Sequence, residues 1–324
     1  MSSFPNLYKK FSFKKDIFSK SKILLKKSKL SPDLKKIIFE LGFKGEYLLE
    51  SVIANNLNSK TYKISQGKKS YLIKIENKKT TKNLKILNIL KKQKFTKKTI
   101  IPIIYKKNKN YFLYKKHLIT LYPFINGKLY SGEKTELESS INEIIKLIFQ
   151  LSKVEKYKNF NSFNYFSKDE NKMIKGLKKR KKYFNKIFSN NKIKFDKFIP
   201  LIIFEWERLK KKKIYCGKKQ LSPWDIHPHN IITNKNSVRG IIDLTGIKYM
   251  PIGYALSYGL VKLLRQYFIK QKIKKNYYIF AKSYIYKINA RLGSKFNNEI
   301  FYDLAVSEVL RRILIIIKKN NSQK

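Results

Sequence analysis

Acidic side chains are scarce in this sequence. In 324 residues, 21 Asp and Glu stand against 74 Lys and Arg, a formal charge of +53. The chain is rich in Lys, Asn, Ile, Phe and Tyr, as AT-rich coding sequence would write it. That bias does not explain the missing acids, whose codons are not GC-rich. The resulting field attracts nucleotides, acidic lipid headgroups and RNA without sequence preference, and it weakens with salt. No base-reading motif accompanies the charge, so a specific nucleic-acid function does not follow from it. Cysteine is nearly absent. Cys216 stands alone, which excludes an internal disulfide and fits a reducing compartment, the cytoplasm by default. Long apolar runs are missing too. Ile313–Ile317 ends an amphipathic pattern and is far short of a bilayer span. The first fifteen residues lack an apolar signal core and a small-residue cleavage site. Histidine is limited to three residues. His227 and His229 flank Pro228, but His117 is remote and Cys216 lies upstream in a Lys-rich loop. That is too few ligands for zinc, which takes three or four. His227-Pro228 reads instead as shaping a loop that orients Asp225.

What the chain does contain is organised around residues 221–246, LSPWDIHPHNIITNKNSVRGIIDLTG. Two short apolar segments, one starting at Asn230 and one ending at Asp243, flank a turn at Asn234-Lys235-Asn236. This predicts a hairpin. Asp225 and Asn230 precede its first strand, and Asp243 ends its second. Three oxygen-bearing side chains then lie at one end of a small rigid element. Phosphoryl transfer needs such a set: an acid that orients and deprotonates a hydroxyl, and hard oxygen ligands for Mg²⁺. Asp225 suits the first role, Asn230 and Asp243 the second.

Asp225-Ile-His-Pro-His-Asn230, followed by Gly240-Ile-Ile-Asp243, resembles the catalytic and metal motifs of the aminoglycoside phosphotransferase/choline kinase family. The resemblance implies a protein-kinase-like fold, ATP and Mg²⁺ as cofactors, Asp225 as catalytic base, and Asn230 and Asp243 as metal ligands. The family carries a His two residues before the catalytic Asp, where this chain has Pro223.

Upstream, Ser31-Pro32-Asp33 opens a helix whose apolar face is Leu34, Ile37, Ile38 and Leu41. Strand-like runs follow at 47–54, 61–65 and 70–75. By resemblance, the loop from Asn55 to Lys63 is the hairpin that covers nucleotide, with Asn55, Asn56 and Ser59 at the phosphates. Asparagines stand where the family has glycines; Asn tolerates positive φ better than most residues. Lys74, in Leu-Ile-Lys-Ile, matches the strand lysine that reaches the α- and β-phosphates. A helix over 80–93 follows. Its Asn83 falls where the family has a Glu to pair with that lysine, and no Glu occurs between Glu76 and Glu133. Further strands are expected at 100–105, 111–114 and 118–124, the last leading into the hinge, where Tyr122 and Phe124 would meet adenine through their backbone.

From Thr135 the pattern turns helical. Leu137, Ile141, Ile144, Ile145, Ile148 and Leu151 share one face. Basic helices follow at about 168–188 and 194–212, and the run at 178–182 reads as a solvated face. Helices at about 254–268, 273–291 and 296–318 finish the chain. A second Asp that the family uses in this region is matched by Ala255.

The expectation is therefore an α+β, bilobal protein-kinase-like fold, with a small antiparallel-sheet N-lobe and a larger helical C-lobe. Residues 1–40 read as a basic extension and helix, 41–124 as the nucleotide-binding N-lobe, and 125–324 as the helical C-lobe carrying the hairpin at 221–246. The expected reaction moves the γ-phosphate of ATP to a hydroxyl of a small-molecule acceptor. The alternative is a pseudokinase-like nucleotide-binding or interaction module, favoured by Pro223, Asn83 and the glycine-free loop. The acceptor is unread. The positive charge argues against a cationic one unless Asp169, Glu170, Glu205 or Glu207 lines its pocket.

Overall fold

Alternation along residues 69–77 sets the architecture. In strand β4 (Lys69–Asn77), Tyr71, Ile73 and Ile75 point to one face, and Lys74 and Glu76 to the other. The computed structural model describes residues 25–52, 59–77, 84, 110–154, 170–179, 181–182, 185, 198–273 and 277–318. The described residues fall into two compact units. One draws on Lys20–Gln150 and His227–Ile247, the other on Leu151–Ile226 and Lys248–Lys324.

The first unit is built on a six-stranded antiparallel sheet in the order β1-β2-β3-β4-β6-β5. Its other strands are β1 (Leu25–Lys27), β2 (Leu48–Val52), β3 (Ser59–Gln66), β5 (Phe112–Tyr114) and β6 (His117–Pro123). Helix α1 (Pro32–Glu40) packs on one face. It begins where the Ser31 hydroxyl accepts from the Leu34 amide at 3.3 Å, with Pro32 in the first turn. Leu34, Ile37 and Ile38 then bury against Ile64, Ile73 and Ile119. Residues 25–40 thus belong to the sheet unit. Leu25–Lys27, expected within an extension, pairs antiparallel with Glu50–Val52 as an edge strand.

A second layer of this unit is the three-stranded sheet β10-β9-β7, formed by β7 (Lys128–Leu129), β9 (Ile231–Asn234) and β10 (Ser237–Ile241). The turn at Lys235-Asn236 has both residues at positive φ, 45° and 61°, the geometry a tight two-residue hairpin requires. Helix α2 (Lys134–Leu151) lies in the same unit up to Gln150. Its Glu136, fully buried, fixes the hairpin. It accepts from the Ser131 amide at 2.9 Å, the Ser131 hydroxyl at 2.8 Å and the Thr233 hydroxyl at 3.0 Å, and it pairs with Lys128 at 3.0 Å.

The other unit is helical: α3 (Glu170–Lys179), α4 (Ile199–Lys210), α5 (Ile252–Lys270), α6 (Tyr277–Leu292) and α7 (Asn298–Lys318), with a two-stranded sheet of β8 (Lys219–Pro223) and β11 (Ile247–Pro251). One core cluster joins Leu177, Ile202, Trp206, Leu209, Leu310 and Leu314. Asn55, Asn56, Asn83, Asp169, the strand expected at 100–105 and residues 1–24 lie outside the described residues. Leu84, in the helix expected at 80–93, is helical and buried.

Candidate active site

The hairpin of β9 and β10 is closed by its own backbone. The Ile242 amide donates to the Asn230 carbonyl at 2.9 Å, which holds the two ends side by side. Asn230, 7% exposed, closes a 3₁₀ turn, Pro228–Asn230, whose start is capped by the His227 ring: Nδ1 accepts from the His229 amide at 3.2 Å. His227 therefore shapes the loop, as its place beside Pro228 suggests. Among the described residues no group of three or more His, Cys, Asp or Glu is positioned to hold a metal. Asp243 sits in the left-handed region at φ 58°, ψ 45°, which Asp adopts more readily than most residues. The chain turns there, leaving the carboxylate 44% exposed at the Asn230 end of the hairpin.

Lys74 meets that carboxylate. Its Nζ is 3.2 Å from Asp243 Oδ1 and 3.0 Å from Glu76 Oε1. Burial works against the ammonium charge, but Asp243 and then Glu76 outweigh it, and the pKa is raised. Glu76 lies two residues along the same strand, hence on the same face. Its second oxygen is buried and has no hydrogen-bond partner among the described residues. The carboxylate beside Lys74 is thus on its own strand and not on the helix that follows. Period-two alternation was the signal.

Other sequence-predicted residues surround this point. Ser59 is the register partner of Glu76, and Thr120 that of Lys74. Tyr122 lies close enough to feel Lys74: burial pushes its phenol up to about 12, against the pull of that charge. The Phe124 amide donates to the Ser70 carbonyl at 3.0 Å. It is thus committed to the sheet. Lys63 stands over the Phe124 ring at 4.9 Å.

Asp225 belongs to the helical unit. Its Oδ1 accepts from Arg312 Nη2 at 2.9 Å. Arg312 is itself held tightly. Its Nε donates to Glu308 at 2.7 Å, and its guanidinium lies 4.0 Å from the Tyr258 ring centre and 4.7 Å from that of Trp224. Arg311 and Lys248 also face Trp224, at 4.9 and 4.6 Å. Ala255, matched to a family Asp, is buried in α5. Arg312 went unread because it follows Asp225 by 87 residues in a chain full of basic side chains. The spacing Glu308, Arg311, Arg312 on one helix face was the available signal.

The donor set at Asn230 and Asp243 suits magnesium, which takes one or two protein oxygens and draws the rest from phosphate and water. No family profile matches the chain, and no characterised protein sequence does. Solved structures do. Spectinomycin phosphotransferase, in complex with ADP and spectinomycin, aligns at 16% identity with a TM-score of 0.56, over 88% of this chain and 98% of its own. Macrolide 2′-phosphotransferase from Brachybacterium faecium aligns at 9% identity with a TM-score of 0.57, over 89% and 92%. Amicoumacin kinase, in complex with AMP-PNP and Ca²⁺, gives 12% and 0.53, over 88% and 84%. The chain has the fold of these phosphotransferases. The α+β, kinase-like class expected from the sequence is the one observed. A likeness at such low identity carries the phosphotransferase fold and leaves chemistry to the side chains described above.

Proposed function

We propose that the protein is an ATP-dependent phosphotransferase that moves the γ-phosphate to a hydroxyl of a small molecule. The observation that carries this reading is the bridging of Lys74 between Glu76 and Asp243 at the Asn230 end of the hairpin. That arrangement brings the ammonium of Lys74, from β4, to the Asp243 carboxylate, on the hairpin closed at Asn230. Lys74 steadies the α- and β-phosphates. Asn55, Asn56 and Ser59 border the phosphates, and the backbone of Tyr122 and Phe124 receives the base. Asn230 and Asp243 would hold Mg²⁺, which when bound neutralises charge on the β- and γ-phosphate oxygens. Asp225 orients the acceptor hydroxyl. As that oxygen bonds to the γ-phosphorus, its proton passes to the Asp225 carboxylate. The bond from the γ-phosphorus to the bridging oxygen breaks, and ADP leaves with the electron pair. Catalysis of this kind is positioning plus charge stabilisation. The single cysteine supports a cytoplasmic setting. No described helix is long and apolar enough to cross a membrane.

A second reading, a nucleotide-binding module without turnover, is favoured by the Arg312–Asp225 pair, which engages one oxygen of the proposed base. Calorimetry with ATP and Mg²⁺ tests the first reading. Wild type is expected to bind in a magnesium-dependent manner, and Asp243→Ala to lose that dependence. Binding indifferent to both magnesium and Asp243 overturns the mechanism. Magnesium-dependent binding with no phosphate transfer to any hydroxyl acceptor leaves the second reading.

A further inference from the structure

The surroundings of Asp225 within the helical unit are cationic. Around Trp224 and Tyr258 stand four basic side chains, Lys248, Lys262, Arg311 and Arg312, and two carboxylates, Asp225 and Glu308. The two arginines take up both carboxylates. Lys248 and Lys262 are left facing aromatic rings, at 4.6 Å from the Trp224 centre and 4.8 Å from that of Tyr258. Neither lysine has a carboxylate partner among the described residues. Burial, and then the charge of Arg312, push the Lys262 ammonium down to about 8. Lys248 is lowered for the same kind of reason, burial first and Arg311 next. A half-buried ammonium without an anion is costly to keep, and a bound anion relieves it.

Lys262 and Tyr258 also line a cavity of about 410 Å³, together with Arg265. Its walls come from α4, α5, α6 and α7: Leu201, Ile285, Phe301, Val306, Val309 and Ile313 are apolar throughout. Val309, among these lining residues, is 45% exposed. Among the described residues that line the cavity the one carboxylate is Glu205, and it is already engaged by Arg208 at 2.8 Å and the Tyr302 hydroxyl at 2.8 Å. Glu207, another acid considered for a cationic acceptor, is exposed. The chemistry of the cavity is therefore apolar walls with two basic side chains, Lys262 and Arg265, among them.

We propose that this cavity binds an amphipathic anion, a soluble molecule whose carboxylate, sulfonate or phosphate lies against Lys262 and whose apolar body fills the space between α4, α5, α6 and α7. Because Tyr258, which lines the cavity, packs at 4.0 Å against the Arg312 guanidinium that holds Asp225 at 2.9 Å, that molecule is the acceptor class. This last step rests on the phosphotransferase reading; the binding site does not. Among the described residues the carboxylates here, Glu205, Asp225 and Glu308, are already paired with arginines, which argues against a cationic acceptor.

The probe is 8-anilinonaphthalene-1-sulfonate, followed by fluorescence in 0.5 M NaCl, where surface charge is screened to within a few ångströms. Its neutral analogue, N-phenyl-1-naphthylamine, is the charge control. Saturable binding of the sulfonate is expected, about tenfold tighter than the neutral analogue. Lys262→Met should erase that difference, and Ala305→Phe, which fills the cavity, should remove binding of both. Lys282→Met, an exposed lysine on α6, should change nothing. Circular dichroism confirms that each variant folds, and Lys262→Met removes only a strained charge. Equal affinity for the two probes, or equal loss in Lys262→Met and Lys282→Met, overturns the anion site. If the anion site holds while Asp243-dependent ATP binding is absent, the acceptor role falls. If ATP binds and the probe does not, the phosphotransferase reading stands and this inference fails.

Discussion

Replacing Glu76 with Gln removes one charge and little volume from the centre of the sheet unit. Lys74 then loses a carboxylate at 3.0 Å and keeps Asp243 at 3.2 Å. Lys74 and Glu76 each expose only 17% of the side chain, so screening by water is weak. At an effective dielectric of about 20, a pair at this distance attracts by roughly 5 kcal/mol. Most of that offsets desolvation, and the amide still accepts a hydrogen bond. The net loss expected for a charge-assisted bond is about 2 kcal/mol of stability, read by urea denaturation. The raised pKa of Lys74 sets the pH window. A lysine whose folded pKa exceeds 10.5 contributes stability that is complete below 10.5 and is lost as pH rises through the folded value. The difference between wild type and Glu76→Gln is therefore flat from pH 6 to 9. The second effect is on nucleotide. With Glu76 gone, the ammonium leans wholly on Asp243 and competes with magnesium for that carboxylate. ATP·Mg²⁺ binding by calorimetry is expected to weaken about tenfold, a difference of about 1.4 kcal/mol. A variant that is less stable but binds ATP·Mg²⁺ like wild type refutes the positioning role. One that matches wild type in both refutes the ion pair itself.

Asp225→Asn should bind ATP as wild type does and transfer phosphate about 10²- to 10⁴-fold more slowly, the contribution of a positioned base; unchanged turnover in a stopped-flow assay would remove Asp225 from the chemistry. Gly127→Ala would put a Cβ 2.5 Å from the Thr233 carbonyl oxygen and 2.7 Å from Ile232 Cγ2, where β7 meets β9; a loss of about 2 kcal/mol is expected in urea denaturation, and a loss under about 0.5 kcal/mol would mean the strands part easily. Lys262 is depressed to about 8, so the unfolded chain binds more protons than the folded one between pH 8 and 10; wild type should gain stability over that range relative to Lys262→Met, by up to about 3 kcal/mol in all, and parallel pH profiles would show that Lys262 is not strained.

The local parts of the site were legible and the distant parts were not. Asn230 and Asp243 flank one hairpin, and alternation with a Lys-Asn turn fixes a hairpin from sequence alone; Asp225 precedes it in the helical unit. Lys74 was readable from the apolar residues on either side of it. Glu76 is equally local, two residues along the same strand and on the same face. Ser59 was read as part of a loop, and it begins β3 opposite Glu76. Leu25–Lys27 carries no strand signal of its own; its pairing follows from an edge that β2 leaves open. Arg312 could not be assigned to Asp225 from sequence, because the contact is made by packing of α7 and not by spacing along the chain. The same holds for Trp224, whose ring gathers cations from β11 and α7.

In a chain of charge +53, a basic side chain by itself says little, and what distinguishes one lysine from another is desolvation. Exposed lysines raise the local concentration of any anion, and that attraction fades as the Debye length falls from about 10 Å at 0.1 M salt to about 3 Å at 1 M. Lys74 and Lys262 are both withdrawn from water, yet they are opposites. Lys74 is satisfied twice over, by Glu76 and Asp243, so phosphates must compete for it, and its ionisation favours the charged form. Lys262 faces a ring and other cations, and its ionisation favours the neutral form. An anion at Lys74 exchanges one partner for another; an anion at Lys262 supplies its first ion pair, adding to the weaker pull of Asp225. Binding at Lys262 should therefore take up protons between pH 7 and 9, and binding at Lys74 should not. Calorimetry of the sulfonate probe in buffers of differing ionisation enthalpy reads that uptake directly. Proton uptake that persists in Lys262→Met would show that the charge completing the site lies elsewhere.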